Sequence, residues 1–89
     1  MREQTLEITN KIGLHARPAA LLVKTAALFK SDIALVKGDK NVSAKSMLAI
    51  MSAGIKAGDT ITVRASGEDE AEALKAVIAL IQADFQESR

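Results

Sequence analysis

Two hydrophobic periods alternate along these 89 residues, and that alternation constrains the fold more than any other feature of the chain. Leu6 and Ile8 stand between polar Thr5, Glu7 and Thr9, the period-two pattern of a half-buried strand over about residues 3–9. Asn10-Lys11-Ile12-Gly13 interrupts it. From Ala16 the spacing lengthens, and Ala19, Leu22, Val23, Ala26 and Phe29 line one face of a helix over 16–29. Pro18 falls in the first turn of that helix, where its missing N–H costs nothing and its fixed φ suits the helix.

Asp-Ile-Ala-Leu-Val-Lys at 32–37 returns to a strand. Gly38-Asp39 is a turn and 40–44 a short return strand, so the two form a hairpin. Ser46 then reads as an N-cap before Met47-Leu48-Ala49-Ile50-Met51, a short helix closed by Gly54. Lys56-Ala57-Gly58-Asp59 is a further turn. Thr60 to Ala65 alternates as a strand with Ile61, Val63 and Ala65 inward. A last helix over 69–85 carries Ala73, Leu74, Val77, Ile78, Ile81 and Phe85 on its apolar stripe. Glu68, Asp69, Glu70 and Glu72 gather at its positive N-terminal end.

The resulting order, β-α-β-β-α-β-α, excludes an all-α and an all-β fold. One strand–helix–strand crossover followed by a hairpin favours a split β-α-β sheet with helices on one face. At roughly 100–200 residues per domain, residues 1–89 make one domain. The chain is 48% hydrophobic but only 2% aromatic, so its core is built from Ala, Leu, Ile and Val.

Composition also removes whole classes of chemistry. Without cysteine there is no disulfide scaffold, no thiol nucleophile and no thiolate metal site, and a single His cannot form a zinc cluster, so no metal or other cofactor is expected. Met1-Arg2-Glu3-Gln4-Thr5 opens no apolar h-region, and no run nears the roughly 18 apolar residues of a membrane span. A cytoplasmic protein without membrane insertion is expected. The net charge of +1 hides an asymmetry, +5 over residues 1–58 and −4 over 59–89. The basic residues are scattered singly, with no Trp or Tyr for base stacking, which argues against nucleic acid as a partner.

The informative stretch is Gly13-Leu14-His15-Ala16-Arg17-Pro18-Ala19-Ala20. It places the only imidazole at the start of a helix, where unpaired N–H groups and the helix dipole favour an anion. Arg17 is two residues on, with a guanidinium fork suited to an oxyanion. An imidazole near neutral pH is a partly unprotonated nucleophile, and a phosphorylated ring nitrogen is a good leaving group. The alternative is a plain surface or capping histidine. No second acid or base is paired with His15 and no nucleophile elbow occurs, which disfavours an autonomous hydrolase. On the short helix, Met47 and Met51 share a side while Leu48 and Ile50 point elsewhere. Met47, Leu48 and Met51 either complete the core or form an adaptable surface for several partners. Lys24 and Lys45 either steer acidic partners to that surface or are ordinary solvated lysines.

Ile12-Gly13-Leu14-His15-Ala16-Arg17-Pro18-Ala19-Ala20, followed by Lys45-Ser46-Met47-Leu48-Ala49-Ile50-Met51 and Gly54, resembles the histidine-containing phosphocarrier (HPr) family of the bacterial phosphoenolpyruvate-dependent sugar phosphotransferase system. The resemblance covers essentially the whole chain. It implies an α+β open-faced sandwich, a four-stranded antiparallel sheet in order 1-4-2-3 with three helices on one face. It implies that His15 takes a phosphoryl group on Nδ1 from phosphorylated enzyme I and hands it to a sugar-specific enzyme IIA domain, with Arg17 steadying the phosphate. Such a protein is a carrier and not an enzyme, and a monomer suits a shuttle that exposes one face repeatedly.

Lys-Ser before an apolar Met-rich turn resembles the regulatory serine of members phosphorylated by HPr kinase/phosphorylase. That implies a regulatory role for Ser46, with the kinase and a catabolite-control transcription factor as further partners. Apolar Ile12, close to His15, is instead more like the nitrogen-related branch, whose carriers relay a regulatory signal and not sugar uptake. A third possibility is an interaction module that acts through Ser46 without phosphotransfer. Family members of that kind lack the active histidine, and this chain has it.

Overall fold

The computed structural model describes residues 1–9, 13–14, 16–83 and 85. Four strands and three helices follow one another as β1 (Arg2–Glu7), α1 (Ala16–Ala26), β2 (Asp32–Lys37), β3 (Lys40–Ser43), α2 (Met47–Ser52), β4 (Thr60–Ser66) and α3 (Glu70–Gln82). The strands form one antiparallel sheet in the order β1-β4-β2-β3. The physical reason for this order is in the side chains. β4 and β2 bury Ile61, Val63, Ala65, Ile33 and Leu35, whereas β1 and β3 are mostly exposed and occupy the edges. No described helix is long and apolar enough to cross a membrane.

The alternation in β4 separates the two faces of the sheet. Inward, Ile61 pairs with Leu6 while Val63 and Ala65 face Leu35 and Ile33. Above them lie Leu22 and Ala26 of α1, Ile50 of α2, and Ala73, Val77 and Ile81 of α3, all in one buried cluster. Outward, the cross-strand pairs of β1 with β4 are polar. Arg64 Nε donates to Glu3 Oε1 at 2.8 Å, and the Thr5 and Thr62 hydroxyls are 2.8 Å apart. The sandwich is therefore open on this side.

The expected element ends shift in four places. α1 stops at Ala26 and not at 29, because Leu28 N donates to Thr25 O and Phe29 N to Ala26 O, a tighter turn that unwinds the helix. Leu28 is left 78% exposed, and Phe29 is half-buried against the core. β1 covers Arg2–Glu7. Ile8 has left it to bond the turn before β4, its N–H on the Asp59 carbonyl at 2.8 Å. β3 ends at Ser43, although Ala44 N still donates to Ile33 O at 2.8 Å. α3 runs from Glu70 to Gln82, with Asp69 before it, and Phe85 is buried beyond it at φ +60°. The Phe85 amide turns back onto Leu80 O at 2.9 Å, which brings the ring into the core without further helix.

Candidate functional site

The approach to α1 packs against the backbone of Ile55, Lys56 and Ala57. Leu14 is buried, its N–H on the Ile55 carbonyl at 3.0 Å. Gly13 has φ +74°, and a Cβ there would lie 2.8 Å from both Ile55 O and Lys56 Cα. The glycine thus serves close backbone approach as well as the sharp turn. His15 and Ile12 lie outside the described residues; in sequence His15 stands between Leu14 and Ala16, the first residue of α1.

Pro18 and Ala19 turn into the core, leaving Arg17 on the exposed side of the first turn. No acidic residue accompanies it there, and among the described residues Arg17 has no ion-pair partner. The contrast with α3 is direct, since its first turn holds Glu70 and Glu72. Acidic residues suit the positive end of a helix dipole and a cation does not, so the first turn of α1 concentrates positive charge that no carboxylate of its own offsets. Lys24, exposed in the last turn, is instead placed favourably for the dipole.

α2 packs beside α1, and its amino end is capped as its sequence suggests. Ser46 is extended, at φ −117° and ψ 109°, and its Oγ accepts from Ala49 N at 3.2 Å. One side chain of the helix, Ile50, is fully buried. Met47, Leu48 and Met51 are 37%, 80% and 43% exposed, so they do not complete the core. They cover the outer side of α2 as an apolar surface. Lys45 is exposed beside Ser46, yet its Nζ also donates to Phe29 O at 2.8 Å, tying the end of α1 to the start of α2.

The carboxyl end of α2 is held by the hairpin. Lys37 Nζ donates to Gly54 O at 2.9 Å and Lys40 Nζ to Ala53 O at 3.3 Å. Lys37 also pairs with Asp59 at 2.8 Å, and Asp59 Oδ2 accepts from Lys56 N at 2.7 Å. The Lys37 hydrogen bond, followed by that of the Lys56 amide, holds the Asp59 carboxyl below the usual range. In the sequence, Lys56–Asp59 carries only the signature of a turn. Asp at the fourth position of a Gly-containing turn was the available local signal, but its partner Lys37 is remote in sequence. No group of three or more His, Asp or Glu residues able to hold a metal occurs among the described residues.

A four-stranded antiparallel sheet in the order β1-β4-β2-β3 with three helices packed on one face defines an open-faced α+β sandwich of the phosphocarrier type. The family model for the PTS HPr component phosphorylation site matches residues 2–83, and the chain belongs to the HPr phosphocarrier family. It is 48% identical to HPr-like protein Crh of Halalkalibacterium halodurans over 82 residues, 92% of this chain and 98% of that one. It is 40% identical to phosphocarrier protein HPr of Neisseria meningitidis over 87 residues, 98% of each chain. A crystal structure of HPr-C-His from Thermoanaerobacter tengcongensis superposes with a TM-score of 0.94 at 50% identity, covering 100% of both chains.

Proposed function

We propose that this protein carries a phosphoryl group on Nδ1 of His15, taken from phosphorylated enzyme I and passed to a sugar-specific enzyme IIA domain. The observation that carries the reading is Arg17, an exposed cation without an ion-pair partner among the described residues, in a first turn that holds no carboxylate. A guanidinium there stabilises the phosphate with charge-assisted hydrogen bonds, and the first-turn amides of α1 supply further donors. The imidazole attacks phosphorus as the bond to the donor breaks, and the reverse step later releases the group to the acceptor. The protein supplies no turnover of its own.

Met47, Leu48 and Met51 form the docking surface in this proposal, with Lys24 and Lys45 steering acidic partner faces toward it. Ser46 is the regulatory position. A phosphate on its Oγ adds about −1.5 to −2 charge beside Met47 and Lys45, and the N-cap geometry supports such a charge because the helix dipole favours it.

The test is incubation with enzyme I and phosphoenolpyruvate, with the mass gain and its acid lability as readouts. One acid-labile phosphoryl group is expected on the wild type and none on His15→Ala. Full phosphorylation of His15→Ala at another residue sinks the reading.

A further inference from the structure

Both ends of the segment that leads into α1 are bonded to one short turn. At its start, Ile8 N donates to Asp59 O at 2.8 Å and Gly58 N to Ile8 O at 2.7 Å. At its end, Leu14 N donates to Ile55 O at 3.0 Å. The two anchors, Ile55 and Asp59, are the ends of the same turn, so the shape of that turn sets where Leu14 lies relative to Ile8. Its shape is closed by Asp59. The side chain accepts from Lys56 N at 2.7 Å while the Asp59 amide donates to Lys56 O at 3.0 Å, a reciprocal pair across the turn. Lys37 then fastens the same carboxylate to the sheet at 2.8 Å and reaches Gly54 O at 2.9 Å. Gly13 shows how little slack there is, since not even a Cβ fits against Ile55 O and Lys56 Cα.

We propose that Asp59 is a positioning residue for the phosphoryl acceptor: by closing the 55–59 turn onto the Lys56 amide it sets the place of Leu14, and through the backbone the start of α1 where His15 stands. This rests on His15 being the acceptor. The role assigned to Asp59 runs through the backbone of Leu14. In-line attack on phosphorus needs a nucleophile placed within a fraction of an ångström, so a relaxed turn slows the chemical step while leaving the docking surface on α2 intact.

Two substitutions separate geometry from charge. Asp59→Asn keeps an oxygen acceptor for the Lys56 amide but loses the charge facing Lys37. Asp59→Glu keeps the charge but carries the carboxylate one methylene too far to close the turn. Single-turnover transfer from phosphorylated enzyme I is measured at varied enzyme I concentration, with the exchange rate of the Leu14 amide followed by NMR. Asp59→Glu is expected to slow transfer at saturating enzyme I about tenfold, with faster exchange at Leu14. Its half-saturation concentration should stay within about twofold of wild type, and Asp59→Asn should transfer at close to the wild-type rate. A wild-type rate for Asp59→Glu, an equal defect in Asp59→Asn, or a defect confined to half-saturation each overturns the positioning role. A wild type that accepts no phosphate at all instead defeats the carrier reading, and this proposal falls with it. Loss of transfer in Asp59→Glu alone, with wild type active, Asp59→Asn intact and Leu14 exchange raised, supports it.

Discussion

Asp69 holds Ser31 across 38 positions of sequence: Oδ1 accepts from both the amide and the hydroxyl of Ser31, and Oδ2 accepts from Lys30 N at 2.9 Å. Ser31 is buried, and its hydroxyl would be costly to leave without a partner. The contact fastens the loop after α1 to the start of α3. Gly67 makes room for it, because a Cβ there would stand 2.7 Å from Ser31 Oγ.

That contact predicts an acid-sensitive fold. The Ser31 hydroxyl, followed by the Lys30 amide, holds the Asp69 carboxyl below its usual value of 3.8, and the Gly67 amide does the same for Glu70. The unfolded chain therefore takes up these protons before the folded one does. The stability contributed is complete above the usual carboxylate range and is lost as pH falls through the lowered values. Thermal melts from pH 7 to pH 3 should show Asp69→Asn less stable at neutral pH, with the gap to wild type closing in acid. A gap that is constant over this range would remove Asp69 from the acid response.

Arg17→Ala should separate function from stability. Removing a cation from the first turn of α1 is expected to leave the fold as stable or more so, by roughly 0.3–1 kcal/mol. Phosphoryl transfer should fall about tenfold or more, since a charge-assisted donor is lost. Arg17→Lys restores only part of the rate, because a point charge replaces a planar fork. Equal transfer kinetics in all three proteins would make Arg17 a bystander.

The two sides of α2 predict opposite outcomes. Met47→Glu alters an exposed residue, so the fold should survive while affinity for enzyme I drops in a binding titration. Ile50→Ala empties a fully buried site and should cost about 2–5 kcal/mol in denaturant unfolding. Normal binding by Met47→Glu would remove this surface from the docking assignment.

Ser46 combines a cap with the proposed control point. Ser46→Ala loses the acceptor for Ala49 N and should destabilise the protein by about 1 kcal/mol. Ser46→Asp keeps an N-cap oxygen and should stay folded, but transfer to His15 should slow. Exposed charges are screened beyond about 10 Å at 0.1 M salt, so this defect should shrink as salt rises. A salt-independent defect points to steric blockage, and wild-type rates would leave Ser46 as a helix cap.

The sequence by itself determined the type and order of the seven elements, because hydrophobic period is a local property read within a few residues. Ile61, Val63 and Ala65 face inward as their alternation requires, and Ser46 caps α2 as its position before an apolar run requires. The start of α1 at Ala16 was legible for the same reason, since a proline within the first turn and the change of hydrophobic period are both local signals. The order β1-β4-β2-β3 was implied by family resemblance, and its physical cause emerges only when all four strands compete for the two central places.

Only the tertiary structure decided where the elements end and what braces the site. α1 stops at Ala26 where the Leu28 and Phe29 amides turn back onto the Thr25 and Ala26 carbonyls, and beyond α3 Phe85 is buried without continuing the helix. Met47 and Met51 are exposed because Ile50 alone fills the space beneath α2, a matter of packing that helical spacing leaves open. The bonds of Asp59 with Lys37, Asp69 with Ser31 and Lys45 with Phe29 join residues 16 to 38 positions apart, or 22 for the first pair, where local pattern carries no information about partners. Such contacts exist only once the chain has closed on itself, and they hold the loops that connect the helices to the sheet.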